Sequence, residues 1–541
     1  MNVLNPPVDF FPLPEPREKQ VRSLEFVKKA VDLNYTDIII SAPTGIGKTG
    51  IGVALCLWAS QTEITNYESG GYYLITQKLL QDQLENDFPH FLENYRTLGC
   101  SLKSAIEYKC PKYTTCKAGS QMPDSLRCRE RAQGLCTYTL QKEEFARSIV
   151  AVTNYPYFFT ERTYVQKLAP RNLLVADECH TLERQVLGFV DINITLDSLE
   201  EWTPFIRPVP VMNTIEEFVA WLKLKYVGAV EDKLIDLKDK IIGDHANTKF
   251  QAELNKVENH LGRIKAAIVD MAEAPDSWVY WQEQKNGQLE CTAKPLYAHR
   301  FTKQLIFDAA RLRVYMSAYP GPKKVFCRNL GLDHNKVARI DLNSTFPVEQ
   351  RPIHLLFCGS MGRKNADETL PRLLRVCDKI LTSHAKEKGL IHCHSYKLGE
   401  AIYKFLNSTQ HKHRIIFPRK ADEREEAFKR HCAFDEPTVL LSPSMTEGFS
   451  LDDDLARFQI MAKMPYPNLG DKQVEAKKDL DQEWYTLQTI TSIIQACGRI
   501  VRSDTDYGST YILDSDFLML FEKNPEFFPK WFQDAFVWHN K

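Results

Sequence analysis

The chain has 541 residues, 43% hydrophobic and 26% charged, with a net charge of −1. That is core enough for roughly three or four domains, and it carries no overall basic field, so a nucleic-acid surface would have to be local. Met1 to Pro16 is proline-rich without a basic stretch and apolar core, and no apolar run approaches membrane length. Neither a signal peptide nor a membrane span is expected, and the location expected is cytoplasmic. Fourteen cysteines in such a chain point to thiols or metal ligands instead of a disulfide framework.

An amphipathic run from Val21 to Leu33 follows Pro16-Arg17-Glu18-Lys19-Gln20. Gln20 has an amide that can donate and accept at once, as adenine recognition requires. Next comes a strand, Asp37 to Ile40, then Ser41-Ala42-Pro43-Thr44-Gly45-Ile46-Gly47-Lys48-Thr49 and an apolar helix start from Ile51 to Trp58. Strand, glycine turn, Lys-Thr and helix make a P-loop: backbone N–H groups wrap a triphosphate, Lys48 reaches its β and γ ends, and Thr49 holds Mg²⁺. Tyr72 to Thr76 reads as a buried strand ending in Thr76-Gln77, polar positions suited to a polymer's phosphates.

From about 98 to 144 lies a cysteine-rich insert in which Cys110, Cys116, Cys128 and Cys136 are spaced C-x5-C-x11-C-x7-C, with Cys100 as a fifth thiol. Paired C-x-x-C spacing and histidine are both missing, so the four thiolates suit zinc or an iron–sulfur cluster. Lys103, Lys109, Lys112, Lys117, Arg127, Arg129, Arg131 and Lys142 outnumber Glu107, Asp124 and Glu130, and Tyr108, Tyr113 and Tyr138 are interleaved. Local positive charge with stacking rings is a footprint of single-strand binding.

Ser148 to Thr153 reads as a strand ending in Asn154-Tyr155, and Asn172 to Ala176 as one ending in Asp177-Glu178-Cys179-His180. Behind a P-loop, Asp177 would hold Mg²⁺ through water, Glu178 would orient or deprotonate the attacking water, and His180 would couple the nucleotide to a second domain. From about 191 to 292 the periodicity is helical, with Ile215, Phe218, Val219, Leu222 and Tyr226 on one face. Leu312 to Tyr319 restores a strand with a Ser-Ala end, and past about 330 a second α/β unit begins.

In that unit Gly389 to Tyr396 is strand then turn, with Ser395 opening the helix of Leu398 to Leu406. His392 and His394 read as core or surface histidines, not metal ligands. Val439 to Ser444 is a buried strand leading to Glu447-Gly448. Ile493 to Arg502 is expected as one helix with Gln495, Arg499 and Arg502 on one face, where the arginines could cross a cleft to a γ-phosphate. The aromatic tail from Phe517 to Trp538 is expected to pack on the second domain.

In this order, residues 42–49, the four cysteines ahead of Asn154-Tyr155, Asp177 to His180, Ser317-Ala318-Tyr319, Glu447-Gly448 and Gln495 to Arg502 resemble the superfamily 2 iron–sulfur helicases of the XPD/DinG family. The resemblance runs from about Arg17 to Asp514. It implies an α/β fold: two RecA-like parallel-sheet motor domains, with an iron–sulfur cluster insert and a helical arch insert in the first. The expected divisions are motor 1 at 1–97, 145–190 and 293–330, the cluster domain at 98–144, the arch at 191–292 and motor 2 at 331–541.

The implied activity is ATP-dependent, 5′→3′ unwinding of DNA by a monomer on single-stranded and forked DNA, with ATP, Mg²⁺ and a 4Fe-4S cluster as cofactors. The alternatives are a translocase that displaces proteins without unwinding, or a zinc-containing nucleotide-switched DNA-binding module. By this reading Arg17, Gln20, residues 42–49, Glu447 and Gly448 bind ATP. Lys48, Asp177, Glu178, His180, Gln495, Arg499 and Arg502 act in catalysis. Thr76, Gln77, Lys103, Tyr108, Asn154, Tyr155 and Ser395 contact DNA, and Cys110, Cys116, Cys128 and Cys136 hold the cluster. The chain departs from the family pattern at Cys179, at Tyr319 in place of a threonine, and at Ser450 in place of an aspartate.

Overall fold

The computed structural model describes residues 5–76, 81, 99–104, 107–109, 136–165, 168–206, 208–243, 248–285, 288–443, 451, 453–503 and 505–539. A seven-stranded parallel sheet forms first, in the order β10-β1-β9-β5-β2-β4-β3. Its strands are β1 Asp37–Ser41, β2 Glu68–Ile75, β3 Gly99–Ser101, β4 Val150–Asn154, β5 Arg171–Ala176, β9 Ala310–Ser317 and β10 Val337–Asp341. Runs such as Ile38-Ile39-Ile40 are apolar without alternation because helices cover both faces, and all three isoleucines are buried. The helix Lys48–Ala59 lies close on the sheet: a Cβ at Gly52 would stand 2.2 Å from the Tyr73 ring. Because β9 separates β1 from β5, the carboxyl ends of the three strands stand side by side.

The division expected at residue 330 falls differently. Val337–Asp341 pairs in register with β1, from Asp37 against Val337 to Ser41 against Asp341, and so completes the first sheet. The cysteine insert likewise begins inside that sheet, since β3 pairs with β4. Its last residues form the helix Thr137–Arg147. Arg171, fully buried, holds the end of this helix: its guanidinium donates to the carbonyls of Ser148 (2.5 Å), Ala146 (2.8 Å) and Phe145 (3.1 Å) and lies 4.7 Å from the Tyr72 ring centre. A cation on the last carbonyls of a helix satisfies acceptors that the helix itself cannot.

The 191–292 region is not helical throughout. It carries a three-stranded antiparallel sheet, β6-β8-β7, built from β6 Ile192–Thr195, β7 Trp278–Lys285 and β8 Gln288–Pro295. Long-range periodicity in the helices masked this hairpin. The expected face does hold: Ile215, Phe218, Val219, Leu222 and Tyr226 are all buried, through a short π-helical turn at Leu222–Tyr226. They share a core with the helices Val227–Gly243 and Thr248–Glu273.

The second α/β domain is another seven-stranded parallel sheet, ordered β13-β14-β12-β15-β16-β11-β17. Its strands are β11 Ile353–Gly359, β12 Gly389–His392, β13 Ile415–Ile416, β14 Val439–Ser442, β15 Phe458–Met461, β16 Ser509–Asp514 and β17 Phe536–Trp538. The aromatic tail packs as expected, with Phe517, Phe528 and Phe532 in the core of this domain. No helix among the described residues is long and apolar enough to cross a membrane. Replacing Arg171 by alanine should take this donor from the Ser148 and Ala146 carbonyls in the interior, while Phe145 O keeps the Ser148 hydroxyl. It should cost about 3 kcal/mol or more, read as a fall in the urea midpoint of the first motor.

Candidate functional site

The P-loop leaves β1 through Ala42 and turns at Gly45 (φ 86°) and Gly47 (φ 82°), a left-handed conformation that favours glycine. Gly47 caps the helix Lys48–Ala59. Arg17 and Gln20 brace this turn from below: Arg17 Nη1 donates to Gly45 O at 2.6 Å and Gln20 Nε2 to Gly47 O at 3.3 Å. Gln20 Oε1 accepts the Arg17 N–H at 2.8 Å. The amide expected to read adenine is thus buried and bonded to the loop's own backbone. Lys48 Nζ reaches Ala42 O at 3.3 Å and Glu178 Oε1 at 4.0 Å. Among the P-loop residues, Ala42, Pro43 and Ile46 are buried, while Thr44, Gly45, Lys48 and Thr49 are more open.

Asp177 and Glu178 follow β5. Tyr73 OH donates to Asp177 Oδ2 at 3.0 Å and also interacts with Thr49, and the Glu178 N–H donates to Asp177 Oδ1 at 2.9 Å. Burial, then the Glu178 charge, raises the Asp177 pKa. Glu178 sits at φ 48°, a strained position for a residue with a side chain and one found where a site needs an exact aim. Burial would raise its pKa, yet Lys48, His180 and Arg502 hold it low, so it stays ionised. His180 Nδ1 lies 3.2 Å from Glu178 Oε2 and 2.8 Å from Ser317 Oγ, at the end of β9. Hard oxygens from Thr49 and Asp177, tied together by Tyr73, fit a magnesium ion.

Arg502 comes from the other motor, and its effect on Glu178 closes the site. The helix expected over Ile493 to Arg502 stops at Cys497 within Gln482–Cys497, and Gly498 caps it. Arg499 and Arg502 therefore do not share a helical face with Gln495; they leave the helix on an irregular segment, because glycine is a poor helix former there. A Cβ at Gly498 would stand 3.4 Å from Thr44 Oγ1, so the helix end rests on the P-loop. A cavity between them is lined by Pro43, Thr44, Phe346, Arg351, Cys497 and Gly498. Gln495 Nε2 is buried without a hydrogen-bond acceptor among the described residues. Arg499, nine-tenths buried, acts on His392 at the end of β12.

The residues expected to touch DNA divide into two sets. Thr76 stands half-buried after β2, and Ser395 Oγ caps the helix Tyr396–Leu406 by accepting the Leu398 N–H at 3.2 Å. Asn154 is instead an internal cap, its Oδ1 accepting the Tyr157 N–H at 3.0 Å, and Tyr155 is fully buried with its hydroxyl on Asp177 O at 2.7 Å. Tyr155 therefore braces the Asp177 backbone from behind, while Asn154 serves its own helix; an apolar strand end looks the same in sequence whether it faces inward or outward. The Lys103 N–H donates to Tyr108 OH, whose ring lies 5.3 Å from Tyr138.

Gln77, Glu447, Gly448, Cys110, Cys116 and Cys128 lie outside the described residues. Cys136 is buried at the start of the helix Thr137–Arg147. Cys100 is a core thiol of β3 that accepts from Gln141 Nε2 at 3.2 Å. Among the described residues no group of three or more His, Cys, Asp or Glu is arranged to hold a metal ion. Sequence reasoning missed Tyr73 and Phe346 as site residues. Tyr73 reads as one more residue of a buried strand, and Phe346 sits in the connection between motors with no motif to mark it.

Residues 379–535 match a family model described as a helicase C-terminal domain, and residues 13–202 one described as the res subunit of type III restriction enzymes. The regulator of telomere elongation helicase 1 homolog of Caenorhabditis elegans is 29% identical over 56% of this chain. This chain spans about a third (34%) of that relative's length. A probable ATP-dependent helicase of Methanocaldococcus jannaschii is 20% identical over 94% of this chain and 92% of its own. Among solved structures, an XPD helicase superposes with a TM-score of 0.65 at 15% identity, and Xpd4 of S. tokodaii with 0.55 at 16%. Both superpositions cover 97% of this chain and all of the other, and they establish the fold.

Gly47→Ala should weaken binding of a fluorescent ATP analogue by about tenfold or more. A Cβ there would be 2.4 Å from Gln20 Nε2 on a left-handed backbone that costs about 1–2 kcal/mol with a side chain.

Proposed function

We propose that this chain is a helicase of the XPD-like kind, an ATP-driven motor that moves along single-stranded DNA and unwinds duplex 5′→3′. The observation that carries this reading is geometric: Lys48 stands 4.0 Å from Glu178, and the segment of the other motor that leads to Arg499 and Arg502 starts against the same P-loop, with Gly498 beside Thr44. Only a cleft between the motors brings these three together, and a triphosphate is the ligand whose charge matches them.

In this mechanism the P-loop N–H groups and Lys48 bind the triphosphate, and Glu178 orients the attacking water. Magnesium held at Thr49 and Asp177 would neutralise charge between the β and γ oxygens. Arg502, with Arg499, stabilises charge that develops on the γ-phosphoryl group and so favours a closed cleft. Release of product reopens it, and His180, bridging Glu178 to Ser317, carries the change toward the strand-binding edge. The DNA strand crosses the carboxyl ends of both sheets, past Thr76 and Ser395, where the N-terminus of the helix Tyr396–Leu406 favours phosphate. Lys103 and Tyr108 lie toward the cysteine insert.

The insert's Cys110, Cys116, Cys128 and Cys136 are read as holding a 4Fe-4S cluster, in keeping with four thiolates on a basic segment with stacking rings. Anchorage supports this: Cys136 begins a helix whose other end Arg171 fixes to the motor. The protein would act inside the cell as a monomer on single-stranded and forked DNA.

Lys48→Ala should abolish ATP turnover while leaving single-strand binding measurable. Glu178→Gln should lower kcat by about 100-fold or more with ATP binding retained; turnover at the wild-type rate in either variant would remove this site from the chemistry. Cys116→Ser should bleach the visible absorbance of anaerobically purified protein and abolish fork unwinding. Colourless wild-type protein with stoichiometric zinc would overturn the cluster, and protein displacement without strand separation would reduce the motor to a translocase.

A further inference from the structure

Arg502 must be aimed from a segment that belongs to no helix or strand. Its backbone is held by Asp506, whose carboxylate is fully buried. Asp506 Oδ2 accepts the N–H of Arg502 at 2.9 Å and that of Asp453 at 3.4 Å. Oδ1 accepts the N–H of Tyr507 at 2.9 Å and Arg457 Nη1 at 2.6 Å. Arg457 is fixed in turn: it donates to Asp454 Oδ1 at 2.9 Å and to Tyr507 O at 3.0 Å, and its guanidinium lies 4.1 Å from the Tyr507 ring centre.

One carboxylate therefore joins two segments. The first carries Arg499 and Arg502; the second, the 3-10 turn Asp453–Leu455, lies a few residues past Glu447 and Gly448. We propose that Asp506 is the positioning residue that sets Arg502 on the γ-phosphate, fastening its backbone through Arg457 to the 453–457 segment. The inference rests on the ATPase reading above and deepens it. The physical need is preorganisation. A guanidinium on a long flexible side chain stabilises a transition state only if its starting point is fixed, and a displacement of about 1 Å costs about 100-fold in rate. A buried carboxylate oxygen accepting the arginine's own N–H, itself held by a forked guanidinium, supplies that fixed point. Asp506 touches no substrate; it acts through Arg502.

The test is single-strand-stimulated ATP turnover by the full chain, comparing wild type, Asp506→Asn, Arg502→Ala and the double variant, with melting midpoints recorded. Asp506→Asn should lower kcat about 10-fold to 100-fold and leave KM for ATP within about 3-fold. In the Arg502→Ala background the same change should alter kcat by less than about 2-fold, because the residue it positions is already gone. Equal losses in both backgrounds would mark Asp506 as a fold residue and overturn the proposal, as would an unchanged kcat in Asp506→Asn. Should Asp506→Asn fail to fold, Arg457→Lys keeps a cation on Asp506 but loses the fork, and the same split between backgrounds decides. A wild type that turns over no ATP would overturn the ATPase reading itself, a result distinct from any of these.

Discussion

The site depends on one carboxylate being kept charged where burial disfavours charge. Glu178 has Lys48 at 4.0 Å and His180 at 3.2 Å within its own motor, and it senses Arg502 from the other. Its neighbour Asp177 is pushed the other way, by burial and then by the Glu178 charge, with Lys48 opposing them. Two adjacent acids thus take different characters, one held low by its cations and the other raised and bonded to Tyr73 beside Thr49. The left-handed backbone at Glu178 is what turns the second carboxylate toward the cleft while the first keeps its place.

The two α/β domains meet at this site, and one flank of the cleft between them is fastened. Glu183, one helical turn past His180, accepts Trp484 Nε1 at 2.9 Å and pairs with buried Lys477, both from the second motor. Lys294 pairs with Asp471 at 2.7 Å, Gln473 Nε2 donates to Pro295 O at 2.6 Å, and Arg328 pairs with Asp481. These contacts gather on the segment from Asp471 to Trp484. They tie the second motor both to the helix after the carboxylate pair and to the base of the helical insert. The Glu183–Lys477 pair is buried, and a buried, directional contact of this kind specifies a relative position more than it stabilises it. Tyr319, where the family has a threonine, belongs to the same boundary: it is buried in the second motor's core with its hydroxyl on Phe527 O. The substitution turns a strand-end residue of the first motor into an aromatic anchor in the second.

Tolerance in the inserts follows from where they join. Both depart from and return to rigid elements: the cysteine insert between β3 and the helix that Arg171 caps, the helical insert through the sheet β6-β8-β7. A segment leaving from sheet edges can vary in length without disturbing the strand ends that carry the catalytic groups.

Sequence alone determined what is local. Period and composition placed β1, β2, β4, β5, β9, β12 and β14, because strands buried on both faces are short unbroken apolar runs, and the P-loop was legible because its glycines and Lys-Thr are dictated by backbone geometry around phosphate. The order of motifs sufficed to name a family. Tertiary structure decided whatever depends on partners distant in the chain. Val337–Asp341 joined the first sheet because β1 offered it an open edge, which no local pattern encodes. Tyr155 turned inward onto the Asp177 carbonyl, and the helix before Arg499 ended at Gly498, where it met Thr44 of the P-loop. Asp506, silent in sequence, became the support of Arg502 only when the chain folded back to bring Arg457 against it. Hydrogen bonds and charge pairs act over a few ångströms of space, and separation along the chain carries almost no record of that distance.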